Sequence, residues 1–461
     1  MYNNILTCAL ILCVWLQPLH AATKRQATYG SPVQAAGSPN SPSFTLTNEQ
    51  QASLPPIPLD IYQDSLLPTP LLPFKHGYVT EIHRVVTPDG YILEVHRIVS
   101  SPLRRSSKAL KPVAFLQHGF LDSSATWVMS GQEHGLGYAL ADEGYDVWMG
   151  NGRGNVYSRK HILYDPDGSR SDREKFWSFS WHEIGMVDLP SMIDYVLNAT
   201  AQPNMFYIGH SQGTTAYFVM CSERPEYNAK IKMMHALAPV AYMNHAVSPV
   251  VRLAELVPTA LQRVAEMLGA YEILPSMDLF KLLGQQLCRD TSPIIAICES
   301  VLFLITGFNE RNLNATLFPV YLSHTPAGAS TYQLVHFVQE AQSGRFCQFD
   351  MGTPQDNMQK YGNPTPPEYN LANVRSRVIL HYSDNDWLSS PIDVRRLHKN
   401  LPNAEMNHIP DEKFEHMDFV WGIGARSVLY EPIIASMKLF DKLVGMQTIA
   451  KNLVNYQQNY L

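Results

Sequence analysis

The chain reads as an α/β protein: a mostly parallel, doubly wound sheet into which a helical segment is inserted. Three observations predict this. Short apolar runs alternate with helix-like segments from about residue 79 to residue 240. One of these runs, Met205-Phe206-Tyr207-Ile208, passes through Gly209-His210-Ser211-Gln212-Gly213 straight into a helix-like stretch. The alternation then lapses over roughly 241–369 and resumes at Arg377-Val378-Ile379-Leu380-His381.

The N-terminal region stands apart from that pattern. Ile5 to Leu16 is nearly all apolar and Leu19-His20-Ala21-Ala22 offers a small-residue cleavage site, so residues 1–22 read as a signal peptide. Met1-Tyr2-Asn3-Asn4 brings no side-chain charge to it, which is atypical. Gln17 and Pro18 end the apolar run short of the ~20 residues a membrane span needs, and no later stretch is long enough. A secreted or endomembrane-lumenal protein is therefore expected. Residues 23–73 are rich in Ser, Pro, Gln and Ala, with Pro55-Pro56-Ile57-Pro58 and Pro68-Thr69-Pro70. They read as an unstructured tail or a propeptide, with Lys24-Arg25 as a processing site, because few apolar groups offset the entropy of ordering.

Residues 74–240 form the first part of the sheet domain. Val79 to Val86 and Tyr91 to Ile98 have strand composition, and Thr87-Pro88-Asp89-Gly90 between them is a hairpin signal. Val113 to Gln117 is a third strand running into His118-Gly119-Phe120-Leu121. Tyr145 to Met149 is a fourth, ending at Gly150-Asn151-Gly152-Arg153-Gly154-Asn155. A helix is expected from Trp181 to Leu197, with Ser180 and Glu183 as a capping box and a kink at Pro190. Residues 241–369 show helix-like apolar spacing, as in Leu253, Leu256, Leu261, Val264 and Leu268, and in Ile294, Ile297, Val301, Leu302 and Ile305. This segment reads as a helical cap with a lid over the active-site end of the sheet; the alternative is an ordinary helical layer packed on it. Residues 370–461 complete the sheet domain.

Composition narrows the function. With 461 residues, 45% of them hydrophobic, the chain can bury one large core and an inserted domain. The net charge of −6 and the lack of a long basic run argue against a nucleic-acid partner. Of the 6 cysteines, Cys8 and Cys13 lie in the leader. Cys288 and Cys298 are near enough in sequence for a local disulfide, and Cys221 reads as a buried thiol on the helix after the Gly209–Gly213 turn, a nucleophile-elbow motif. Asn198 and Asn314 each begin an N-glycosylation sequon.

The chemistry lies in the Gly-x-Ser-x-Gly turn. A sharp strand–turn–helix bend lifts Ser211 Oγ clear of the sheet, and the helix N-terminus aims N–H groups at charge forming there. A chance match is the competing reading, which the flanking strand and helix weaken. A serine nucleophile needs a base, and the base needs an orienting carboxylate. In this order of elements both follow the serine on loops after later strands. Asp384, Asp386 and Asp393 are candidate acids that spacing alone does not separate. His408 and His416 are the candidate bases, and His416 is better placed, on a loop leading into the last helix.

The motifs together resemble the acid lipases of gastric and lysosomal type, within the α/β-hydrolase fold. The matching stretches run from about Gly77 to Lys442. They include Leu116-Gln117-His118-Gly119, Asn151-Gly152-Arg153-Gly154-Asn155, Gly209-His210-Ser211-Gln212-Gly213-Thr214-Thr215, Ala236-Leu237-Ala238-Pro239-Val240, Tyr321-Leu322-Ser323-His324 and His416-Met417-Asp418-Phe419-Val420-Trp421. The resemblance implies Ser211 as nucleophile, Asp386 as acid from its Asn-Asp-x-Leu setting, and His416 as base from His-x-Asp-Phe. It implies oxyanion donors at the backbone N–H of Phe120 and Gln212, with His118 merely structural. Relatives usually carry leucine where this chain has Phe120. A cap disulfide resembling a Cys288–Cys298 pair is also implied, whereas Cys221, Cys347 and the tail before residue 74 are not part of the resemblance. The implied substrate is a neutral lipid ester at a lipid–water interface, triacylglycerol or a sterol ester, in the extracellular space or the lysosomal lumen. No metal or organic cofactor is required. The rivals are a short-chain or hormone carboxylesterase of the same fold, and a non-catalytic lipid-binding protein, which would be expected to lack a member of the triad.

Overall fold

The computed structural model describes residues 57–104, 110–255, 269–274, 305–307 and 309–460. The expected signal peptide, most of the tail, the Cys288–Cys298 pair and the apolar positions 256–268 and 294–302 lie outside them.

Strands β1 (Val79–Val86) and β2 (Ile92–Ser100) form the expected hairpin, paired antiparallel. They are followed by β3 (Val113–Gln117), helix α1 (Leu136–Asp142) and β4 (Asp146–Gly150). Helix α2 (Leu189–Thr200) leads to β5 (Met205–His210), helix α3 (Gln212–Glu223) and β6 (Ile231–Leu237). In the segment expected to be a cap, two short strands, β7 (Glu272–Ile273) and β8 (Ala329–Ser330), pair antiparallel beside helices α4 (Phe318–His324) and α5 (Thr331–Ser343). The chain returns through β9 (Val378–Tyr382), helix α6 (Pro391–Asn400), β10 (Ala404–His408) and the terminal helix α7 (Glu431–Tyr460).

Eight strands make one sheet in the order β1-β2-β4-β3-β5-β6-β9-β10. All neighbours from β4 to β10 pair parallel. The side-chain period of two divides the core. Val113, Phe115, Met205 and Tyr207 face one hydrophobic layer, while Ala114, Leu116, Phe206 and Ile208 face the other. Both faces are thus covered, as the near-continuous apolar runs of β3 and β5 require.

The helix expected over 181–197 is not uniform. A short turn, Trp181–Glu183, carries the predicted Ser180–Glu183 capping box. One π-helical turn, Ile184–Asp188, then precedes α2. Pro190 has no N–H to give the preceding turn, and the irregularity falls there. The wide turn also lets Asp188 accept hydrogen bonds from Arg153 N (2.9 Å) and Nε (2.8 Å).

Candidate active site

Because β3, β5, β6 and β9 run parallel, their carboxyl ends share one edge of the sheet. Five non-glycine residues have positive φ among the described residues, and three of them, Leu121, Ser211 and Ala238, lie just past the ends of β3, β5 and β6. Strained backbone concentrated at one edge marks a candidate site.

Ser211 sits at the bend between β5 and α3, with φ 50° and ψ −119°. Its N–H donates to Leu237 O at 3.0 Å, anchoring the bend to β6. Both glycines of the motif are sterically required. A Cβ on Gly209 would stand 2.9 Å from the Gly213 carbonyl group, and a Cβ on Gly213 would stand 2.3 Å from Gln117 O. The N-terminus of α3 therefore presses directly on the end of β3. Gly119, on the same loop, would place a Cβ 3.2 Å from Ser211 Cβ. The segment leading to Phe120 thus passes against the serine, with Gln212 N at the first turn of α3 beside it.

The serine hydroxyl donates to His416 Nε2 at 2.9 Å. His416 Nδ1 lies 3.0 and 2.9 Å from the two carboxylate oxygens of Asp386. Asp386 Oδ1 also accepts the N–H groups of Leu388 (2.9 Å) and Ser389 (2.8 Å), which fixes the carboxylate. Both His416 and Asp386 are buried. The carboxylate at Nδ1 sets the tautomer: the proton sits on Nδ1 and the Nε2 lone pair faces the serine.

The three acids left open by spacing each meet a different histidine. Asp384 pairs with His408 at 2.9 Å on the exposed surface. Asp393, at the start of α6, binds His245 Nδ1 at 2.7 Å. Only Asp386 meets a histidine that also reaches Ser211.

Two further histidines support this arrangement. His118 accepts the Gly152 N–H at Nε2 (3.1 Å), so its proton is on Nδ1 and donates to Gly119 O at 2.8 Å. The Gly119–Phe120 peptide is planar and trans, so fixing its carbonyl also fixes the direction of the Phe120 N–H. Burial pushes the His118 imidazole down to about 4, which keeps it neutral for this task. The Gly152 and Asn155 contacts explain why Asn151-Gly-Arg-Gly-Asn155 accompanies His118-Gly119 in the sequence. His210 was not singled out by sequence reasoning. Its Nε2–H donates to His416 O at 3.0 Å, bracing the histidine loop from the elbow itself. Burial, with His416 and His118 nearby, holds it well below the ordinary imidazole range. Its place inside the five-residue motif was the available signal.

Helix α5 borders the site. Gln333 Nε2 donates to Gln212 Oε1 at 3.1 Å, while Gln333 Oε1 accepts Ser330 N at the helix start. The Phe120 ring meets Phe337 edge-on at 5.9 Å between centroids. Cys221 and Cys347 are buried free thiols, both pushed up to about 12 by burial, which leaves them inert as nucleophiles. The Asn198 side chain is exposed near the end of α2, whereas Asn314 is half-buried and caps a turn through Thr316 N at 3.2 Å. No group of His, Cys, Asp and Glu able to hold a metal occurs among the described residues.

A family model described as a partial alpha/beta-hydrolase lipase region matches residues 73–131, and one described as the alpha/beta hydrolase fold matches residues 112–423. The chain is 46% identical to Lipase 3 of Drosophila melanogaster over 79% of its own length and 91% of that protein. It is 40% identical to the gastric triacylglycerol lipase of Bos taurus, covering 78% of this chain and 88% of that one. It is 39% identical to the lysosomal acid lipase/cholesteryl ester hydrolase of Homo sapiens, covering 79% and 89%. Fold, elbow and relatives agree, and the chain belongs to the acid lipase family of gastric and lysosomal type, built on the α/β-hydrolase fold.

Proposed function

We propose that this protein is a serine lipase that hydrolyses the carboxylic ester bonds of neutral lipids through an acyl-enzyme on Ser211. The observation that carries the reading is the unbroken relay from Ser211 Oγ through His416 to Asp386 at hydrogen-bond distance. His416 takes the serine proton as Oγ attacks the ester carbonyl, and Asp386 stabilises the imidazolium that forms. The N–H groups of Phe120 and Gln212 receive the oxyanion, a contribution of roughly 3 kcal/mol per donor. The alcohol leaves with a proton from His416. Water then attacks the acyl-enzyme by the same route, releasing the fatty acid and restoring Ser211. Triacylglycerol and sterol esters are the proposed substrates, by kinship with the bovine and human relatives. The apolar leader at residues 1–22 supports delivery to the extracellular space or the lysosomal lumen. Residues 241–369 are proposed as the cap that covers the acyl chain.

Hydrolysis of emulsified long-chain triacylglycerol, cholesteryl ester and a soluble short-chain ester tests the proposal, with wild type beside Ser211→Ala. Long-chain turnover that vanishes in the mutant is the expected result. Turnover of the soluble ester alone would replace the lipase reading with an esterase. Absence of any Ser211-dependent turnover would overturn both.

A further inference from the structure

The loop that carries His416 holds two carboxyls that the hydrolytic steps leave unused. Glu415 and Asp418 lie on either side of the histidine, and each is only 2% exposed. A carboxylate taken out of water is strongly disfavoured unless it is paired or well hydrogen-bonded. Here the hydrogen-bond partners are neutral. Asp418 Oδ2 accepts Glu415 N–H at 2.9 Å and Asn309 Nδ2 at 2.6 Å, with Asn312 alongside. Glu415 Oε2 accepts Met417 N–H at 3.0 Å, and the Thr306 hydroxyl also bonds Glu415.

Thr306, Asn309 and Asn312 belong to a short arm within the inserted segment. The same arm touches the loop of the acid. Trp387 N–H donates to Thr306 O at 3.2 Å. Gly307, at φ +126°, is wedged between the two loops: a Cβ there would stand 2.5 Å from Asn385 O and 2.9 Å from Glu415 Cβ. Asn312 then binds Ile423 N and Gly424 N, both at 2.8 Å. The arm is therefore the spacer that sets the His416 loop against the Asp386 loop.

We infer that Glu415 and Asp418 are positioning residues that lock the His416 loop to this arm, and that they hold His416 in register with Asp386 and Ser211 only while the pair carries at most one negative charge. The inference rests on the reading of Ser211, His416 and Asp386 as catalytic. The surroundings favour a single charge. Asp386 faces the pair from the acid loop, and Asp411 adds a further negative group on the pair's own loop. Asp384 is exposed and paired with His408, while Glu412 and Lys413 on the loop and Glu310 and Arg311 on the arm are exposed to solvent. Tyr430 lies behind Asp418 from the C-terminal segment. Burial and like charge push Asp418 up to about 6 and hold Glu415 well above the usual carboxylate range. As pH rises the second proton leaves, two like charges meet beside Asp386, and the loop loosens around His416.

The test compares wild type with Asp418→Asn and Glu415→Gln on a soluble ester, p-nitrophenyl butyrate, across the pH range. Each amide keeps a carbonyl acceptor and removes one charge. The alkaline limb of kcat is expected to move up by about one pH unit or more in both variants, with KM unchanged. Asn309→Asp adds a third acid to the cluster and is expected to move the limb down. It decides the question should an amide variant fail to fold. Limbs that stay at the wild-type pH, or kcat losses equal at every pH, would overturn the inference. The same substitutions made in Ser211→Ala separate this outcome from the fate of the catalytic reading, because thermal midpoints need no turnover. There the fall in midpoint from acid to alkaline pH should be smaller in both amide variants. A fall identical to that of Ser211→Ala alone would overturn the inference whatever the serine does.

Discussion

Gly213→Ala is the most direct trial of how the elbow builds the proposed oxyanion site. The added Cβ would sit 2.3 Å from Gln117 O and 2.9 Å from His118 O, both backbone atoms at the end of β3. An ordinary contact needs about 3.4 Å, so α3 and the β3 loop must separate by about 1 Å. Neither side yields by rotating a side chain. The two proposed donors sit on opposite sides of this contact: Gln212 N on α3, Phe120 N on the loop after β3. A shift of that size at a reacting centre lowers the rate about 10²-fold, and loss of one oxyanion donor lowers it by about 10²–10³-fold. Overpacking should also lower stability by about 1–3 kcal/mol. The hydroxyl of Ser211 and its bond to His416 lie outside the contact. The expected signature is therefore a fall in kcat on p-nitrophenyl butyrate with little change in KM, in a protein that still melts cooperatively. A folded Gly213→Ala enzyme within about twofold of wild-type kcat would refute the reasoning, since the predicted displacement corresponds to roughly 2.7 kcal/mol of barrier.

Other outcomes follow from the same contacts. Asp386→Asn keeps an acceptor for Leu388 N and Ser389 N but no longer enforces the Nδ1–H tautomer, so kcat should fall by roughly 10³–10⁴-fold with the fold intact by circular dichroism. Arg153→Met leaves Asp188 buried without its 2.7 Å ion pair, and denaturant unfolding should show a loss of about 3–5 kcal/mol. His381 accepts from Asn407 and bonds His235 at 3.0 Å, and burial pushes its imidazole down to about 3. A depressed folded value means the neutral form stabilises the fold above the unfolded value near 6.5, and this contribution is lost as pH falls from there toward 3. His381→Gln should therefore flatten the acid side of the stability profile by about 1.4 kcal/mol per pH unit, measured by denaturant titration at several pH values. An equally steep acid side would show that another group dominates there.

Much of this molecule was legible because the signals are local. The alternation of apolar runs predicted β3 at its observed ends and β5 to within two residues, since a strand covered on both faces must be apolar throughout. The Ser180–Glu183 capping box and the irregularity near Pro190 follow from backbone chemistry within one or two turns. Ser211 was legible because its strained turn needs glycine on both sides, and those glycines are adjacent in the chain.

The tertiary structure decided what depends on residues far apart in the chain. Three acids and two histidines were acceptable by spacing, and only packing shows that each acid meets its own histidine. The Ser211–His416 bond joins residues 205 positions apart, so no local pattern encodes it. The same holds for His210 bracing His416 and for Asn309 reaching Asp418 across 109 residues. Local order in the sequence determined the strands, the elbow and the class of chemistry, because backbone strain and side-chain period act over a few residues. Which carboxylate meets His416, and which buried groups surround its loop, was decided by the folded chain, because hydrogen bonds and charge in a dry interior depend on distance in space.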